Sequence, residues 1–228
     1  MQLLQASASS VGSKLLIALT GLALFVFLVG HLAGNLLFLA GPDAFNHYSH
    51  ALISNPLVYV AEAGLIAVFL LHIVKTVAGV LANRAARPIS YAVRRWAKTK
   101  APRPRSRKSL ASTTMIVTGA ITALFVVSHL VTFKFGAFYQ TAEGIRDLYR
   151  LQLEVFSAPG YVIFYLLAMG VIFFHLWHGL SSAAQSLGLD HPQWTPRLLL
   201  LGRVLSVAIA GGFFIIPIYT FVLSRSAL

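Results

Sequence analysis

Cysteine is absent from all 228 residues. This excludes disulfides, thiolate-held zinc and an iron–sulfur cluster with cysteine ligands in this chain, so any such cluster belongs to a partner. Acids are nearly as scarce, with six Asp and Glu against eighteen Lys and Arg and a formal net charge of +12. Charged residues of both signs make up only 11% and hydrophobic ones 57%; soluble domains carry roughly 25% and 45–50%. The charged surface of a water-soluble fold is what this sequence lacks.

In its place stand charge-poor runs longer than about 18 residues, the length that crosses a bilayer as a helix. Five spans are expected, at about 14–38, 57–82, 110–135, 159–187 and 197–223. Pro56, Pro159 and Pro196 stand at helix starts, and Gly41, Asn83, Gly136 and Gly188 at helix ends. That is the usual punctuation. The first run, 15–40, exceeds a signal-peptide core and reads as a retained span. The expected fold is all-α: one transmembrane domain over 1–228, an integral membrane bundle of five helices in the lipid bilayer.

The II–III loop holds Arg84, Arg87, Arg94, Arg95, Lys98, Lys100, Arg103, Arg105, Arg107 and Lys108 and no acid, whereas the I–II loop holds neither Lys nor Arg. The positive-inside rule places the II–III loop and the N-terminus in the cytoplasm and the C-terminus outside. Lying between two spans, the basic stretch reads as a topology signal touching anionic lipid rather than as a nucleic-acid site, and a cytoplasmic partner subunit could share it.

Of eight histidines, His47, His50 and His191 fall in expected loops, while His31, His72, His129, His175 and His178 fall inside spans. An ionisable ring inside a span is costly without a partner and is a functional candidate by default. At about 1.5 Å per residue, His31 and His129 lie in the outer half of the membrane and His72 and His175 together in the inner half. Two imidazoles from facing helices at one depth suit the axial positions of a haem iron. The pattern thus predicts two haems, with His31/His129 as outer and His72/His175 as inner ligands.

An internal echo accompanies the pairs. ALTGLALFVFLVGHL surrounds His31 and IVTGAITALFVVSHL surrounds His129. Gly21 and Gly119 each precede their histidine by ten residues, which sets them about 15 Å away, at the inner level. They are read either as openings for a macrocycle or as small residues that pack helices. In FFHLWHGL, His175 is assigned as ligand and His178, one turn on, to a haem propionate or a nearby polar group, where Ser181, Ser182 and Gln185 could join it; the alternative exchanges the two.

Five spans, a ligand histidine in each of the first four, a basic II–III loop, and the strings SVGSKLLIALTGL, GHLAGNL and FFHLWHGLSSAAQSLG resemble the dihaem cytochrome b subunit of succinate:quinone oxidoreductases, fumarate reductases included. The resemblance implies two haem b groups held by His31, His72, His129 and His175. It also implies a membrane anchor for a flavoprotein subunit and an iron–sulfur subunit on the cytoplasmic side, with electrons passing to or from quinone in a bacterial-type cell membrane. One departure stands out. Some fumarate reductases of this family place a Glu two residues before the span IV ligand, where this chain has Phe173. Glu62 is the only acid within an expected span and reads as an interfacial carboxylate or as a proton carrier at an outer quinone site. Two rivals are the cytochrome b subunit of another quinone-linked enzyme and a transporter whose histidines relay protons or metal. The first distributes its histidines differently. The second lacks broken helices and acidic partners.

Overall fold

The computed structural model describes residues 9–86, 114–189 and 191–226. Among them the chain is helical with no strand: α1 (Ser10–Leu36), α2 (Pro42–Ile53), α3 (Leu57–Ala85), α4 (Met115–His129), α5 (Leu148–Ser157), α6 (Pro159–Ser186) and α7 (Thr195–Ser226). Five segments are long and apolar enough to cross a membrane: Ser10–Ala40, Leu57–Ala85, Met115–Lys134, Pro159–Ser186 and Thr195–Ser226. They match the five expected spans. The basic loop 87–108 and the expected start of the third span, 110–113, lie outside the described residues.

Local chemistry sets the helix ends. Ser9 caps α1 by accepting from the Gly12 amide at 3.0 Å, which satisfies one orphan donor of the first turn. Pro159 opens α6 after an extended Ala158. Gly41 turns the chain into α2 with φ +105, a conformation that favours glycine.

Two short helices correct the loop reading. His47 and His50 lie on α2 rather than in a loop, and α5 occupies part of the III–IV connection. At 12 and 10 residues both are too short to span, so a search for apolar runs passes over them. They pack on each other at the end of the bundle where α1 and α4 finish. Asn46 joins them. Its Nδ2 donates to Asp147 Oδ1 at 2.8 Å and its Oδ1 accepts from the Tyr149 amide at 3.0 Å. Phe38, fully buried, stacks on Tyr149 at 4.2 Å. His191 does lie in a loop, where its Nδ1 accepts from the Gln193 amide.

Among the long helices, α6 is central and packs on α1, α4 and α7; α1 packs also on α3 and α7. The core between them includes Leu32, Phe125, Tyr165, Met169, Ile172 and Ile209. Small residues let the backbones close: a Cβ on Gly212 would stand 2.6 Å from Leu32 Cδ2, and one on Gly202 would stand 3.2 Å from Ser181 Oγ. Helix α3 packs on α1 and α4 packs on α6, while α3 and α4 at most graze each other. No residue of α3 is buried, although the helix is long and apolar enough to cross a membrane. An apolar helix this bare belongs in lipid, not water.

Candidate functional site

His31 of α1 and His129 of α4 meet at the end of the bundle that α2 and α5 cover. Their ring centroids are 5.7 Å apart with planes at 88°, although α1 and α4 do not pack on each other. A metal about 2 Å from a nitrogen of each ring would separate the centroids by roughly 6 Å, so the spacing would suit two rings that share one ion. Aromatic rings wall the pair. Phe27 stacks on His31 at 5.3 Å, Phe213 of α7 lies 5.7 Å from it, and Phe125, Phe133 and Tyr165 surround His129. The Tyr165 hydroxyl stands 3.4 Å from His129 Nδ1. The Asn35 amide donates to the His31 carbonyl at 2.8 Å, with the same nitrogen 3.4 Å from Nδ1.

A π-helical turn, Leu130–Lys134, follows His129 directly. The Phe135 amide donates to the Leu130 carbonyl at 3.0 Å, five residues back. Such turns are frequent at functional sites. Gly136 is required beside it, because a Cβ there would stand 1.9 Å from the Thr132 carbonyl oxygen. Arg146 closes the turn, its Nη2 donating to the Phe133 carbonyl at 2.9 Å. Nothing in the hydropathy of LVTFKFG marks this turn; Gly136 is the only sequence signal.

His72 of α3 and His175 of α6 each lie against a Thr-Gly pair of a neighbouring helix. A Cβ on Gly21 would stand 3.2 Å from His72 Cε1, and one on Gly119 would stand 3.2 Å from His175 Cε1. Thr20 Oγ1 is 3.0 Å from His72 Nδ1 and Thr118 Oγ1 is 3.4 Å from His175 Nδ1. The glycines, read from the sequence as openings for a macrocycle or as packing residues, make room here for an imidazole edge. Ten residues of helix, about 15 Å, separate this level from that of His31 and His129, and all four rings are half-buried.

His178 is half-buried on α6 and makes no hydrogen bond to a described residue. Of its expected companions, Ser181 donates to the Trp177 carbonyl at 2.9 Å. Phe173 sits among aromatic rings, against Phe174 and Trp177. Glu62 is ion-paired with Lys134, which links α3 to the end of α4. The sequence reading passed over Lys75, a half-buried cation one turn beyond His72.

Among the described residues no three His, Asp or Glu side chains gather closely enough to hold a metal ion. Protein sites for zinc generally supply three or four ligands. Pairs of histidines suit instead an ion whose remaining positions a macrocycle fills. Comparison with known proteins found no matching family model, no similar curated protein and no similar solved structure.

Proposed function

We propose that the chain is the dihaem cytochrome b anchor of a succinate:quinone oxidoreductase, fumarate reductases included. One observation carries the reading: each of the first four spanning helices contributes a half-buried histidine, the fourth carrying His178 besides His175, and His31, His129, His72 and His175 fall at two levels about 15 Å apart. His31 and His129 would hold one haem b and His72 and His175 the other. When bound, each haem supplies a one-electron iron couple between quinone and the iron–sulfur clusters of a partner.

The chain's own residues position and insulate. Helix α3 brings His72 toward His175 of α6, and α4 brings His129 to His31 of α1. Phe27, Phe213, Phe125 and Tyr165 keep water from His31 and His129. His178, with no partner of its own among the described residues, is placed to donate to a propionate, since a buried carboxylate without hydrogen bonds is costly. The cytoplasmic loop 84–108 would face the iron–sulfur and flavoprotein subunits, with the N-terminus inside a bacterial-type cell membrane. Phe173 supplies no proton carrier. The Glu62–Lys134 pair favours a structural role for that carboxylate.

A reduced-minus-oxidised optical spectrum of the purified chain or its complex tests the reading. Bands of two b-type haems per chain are expected. Their complete absence would remove the cytochrome assignment and return the histidines to a relay in a transporter.

A further inference from the structure

The hydroxyl of each Thr-Gly pair has one proton and two places to put it. Thr20 Oγ1 donates to the Leu16 carbonyl at 2.7 Å, with the Ile17 carbonyl at 3.2 Å and His72 Nδ1 at 3.0 Å. Thr118 Oγ1 donates to the Met115 carbonyl at 3.0 Å, with His175 Nδ1 at 3.4 Å. Bonding back to the preceding turn is the ordinary habit of a helical threonine, and it uses the only proton. The oxygen then faces the imidazole with lone pairs alone. A hydrogen bond across that gap requires the proton to sit on Nδ1, which leaves the ring's lone pair on Nε2.

We propose that Thr20 and Thr118 are positioning residues: they set His72 and His175 as Nδ1–H tautomers and so leave Nε2 as the metal-binding nitrogen. The role in metal binding rests on the dihaem reading above. The adjacent glycine completes the device. Without a Cβ at Gly21 or Gly119 the Nδ1–Cε1 edge of the ring lies flat on the Thr-Gly turn. Histidines that bind metals regularly give their other N–H to an acceptor that orients the ring and makes it a stronger donor. The Thr-Gly echo thus serves the histidine of the following span rather than the one that ends its own. His31 and His129 have no such arrangement among the described residues: Asn35 Nδ2 stands 3.4 and 3.5 Å from the two ring nitrogens of His31, and the Tyr165 hydroxyl stands at His129 Nδ1.

The test is Thr20→Val and Thr118→Val, which keep shape and remove the acceptor, each beside its Thr→Ser counterpart. Redox titration and low-spin EPR of the purified protein are the readouts. Loss of the acceptor weakens the imidazole as a donor to oxidised iron. The potential of the haem assigned to His72/His175 should therefore rise, with an altered EPR signal. The other haem stays unchanged, and serine restores both readouts. Should valine abolish that haem while serine keeps it, the hydroxyl is again shown to be needed. Unchanged potentials and EPR in both valine variants, or serine variants disturbed as much as valine ones, overturn the proposal. If the unsubstituted chain holds no b haem, the dihaem reading fails by itself, and the ¹⁵N resonances of His72 and His175 still decide the tautomer. A proton on Nδ1 that leaves in the valine variants sustains the assignment; a proton on Nε2 throughout ends it.

Discussion

His175 and His178 stand one helical turn apart on α6, and their surroundings differ in kind. His175 lies on Gly119 with Thr118 at its Nδ1, as His72 lies on Gly21 with Thr20. Among the described residues no Thr-Gly pair supports His178 in this way. On the dihaem reading, His178→Gln should keep both haems, with at most a shifted potential, whereas His175→Gln should lose the haem proposed to lie between it and His72; optical haem content of the two purified variants decides. The reverse result would exchange their roles. The pairing makes a second demand. Replacing His31 or His129 should remove one haem, and replacing His72 or His175 the other, as separate steps in a redox titration. Loss of the same haem from His31 and His72 variants would contradict it. The four histidines were legible in the sequence because helical rise converts residue number into depth. Their threonine partners were not, since those contacts join residues 52 and 57 positions apart and a threonine inside a span has no depth signature of its own.

The turn that ends α4 is where element-level reading falls short. Hydropathy carries the third span as far as Lys134 but does not distinguish π from α winding, which depends on whether an extra residue finds room. Here Gly136 supplies that room and Arg146 caps the freed carbonyls. Gly136→Ala drives a methyl into the Thr132 carbonyl oxygen and should cost at least ~1–3 kcal/mol, as overpacking does. Gly64→Ala is the control: its Cβ meets nothing within 4 Å, and alanine in a helix interior gains ~0.5–1 kcal/mol. Thermal melts in detergent should move in opposite directions. Equal melting temperatures would mean that the turn tolerates a side chain and that the overlap is relieved elsewhere. The short helices α2 and α5 were missed for a different reason. Their buried positions include Asn46, Ser49 and Gln152, polar residues that a scan for apolar stripes discounts and that only a partner helix makes buriable.

For the molecule as a whole, the excess of Lys and Arg between the second and third spans predicts the direction of insertion. Cysteines introduced at Ser106 and at Ala44 should label from opposite faces of sealed vesicles, Ser106 from the cytoplasmic one. Labelling of both from one face would overturn the alternation of the five spans. The sequence by itself determined what lipid demands: five long apolar helices and almost no acid, with four of the eight histidines paired by depth. These follow from chain length and from the cost of leaving polar groups in hydrocarbon, quantities that are additive along the chain. Only the tertiary structure decided which helices touch. It packed α3 on α1 and α4 on α6, tied them through Glu62 and Lys134, and laid two imidazoles on two Thr-Gly pairs. Lateral packing among helices that are apolar all round depends on a few small residues and on polar atoms seeking partners, and such pairings have no period along the sequence.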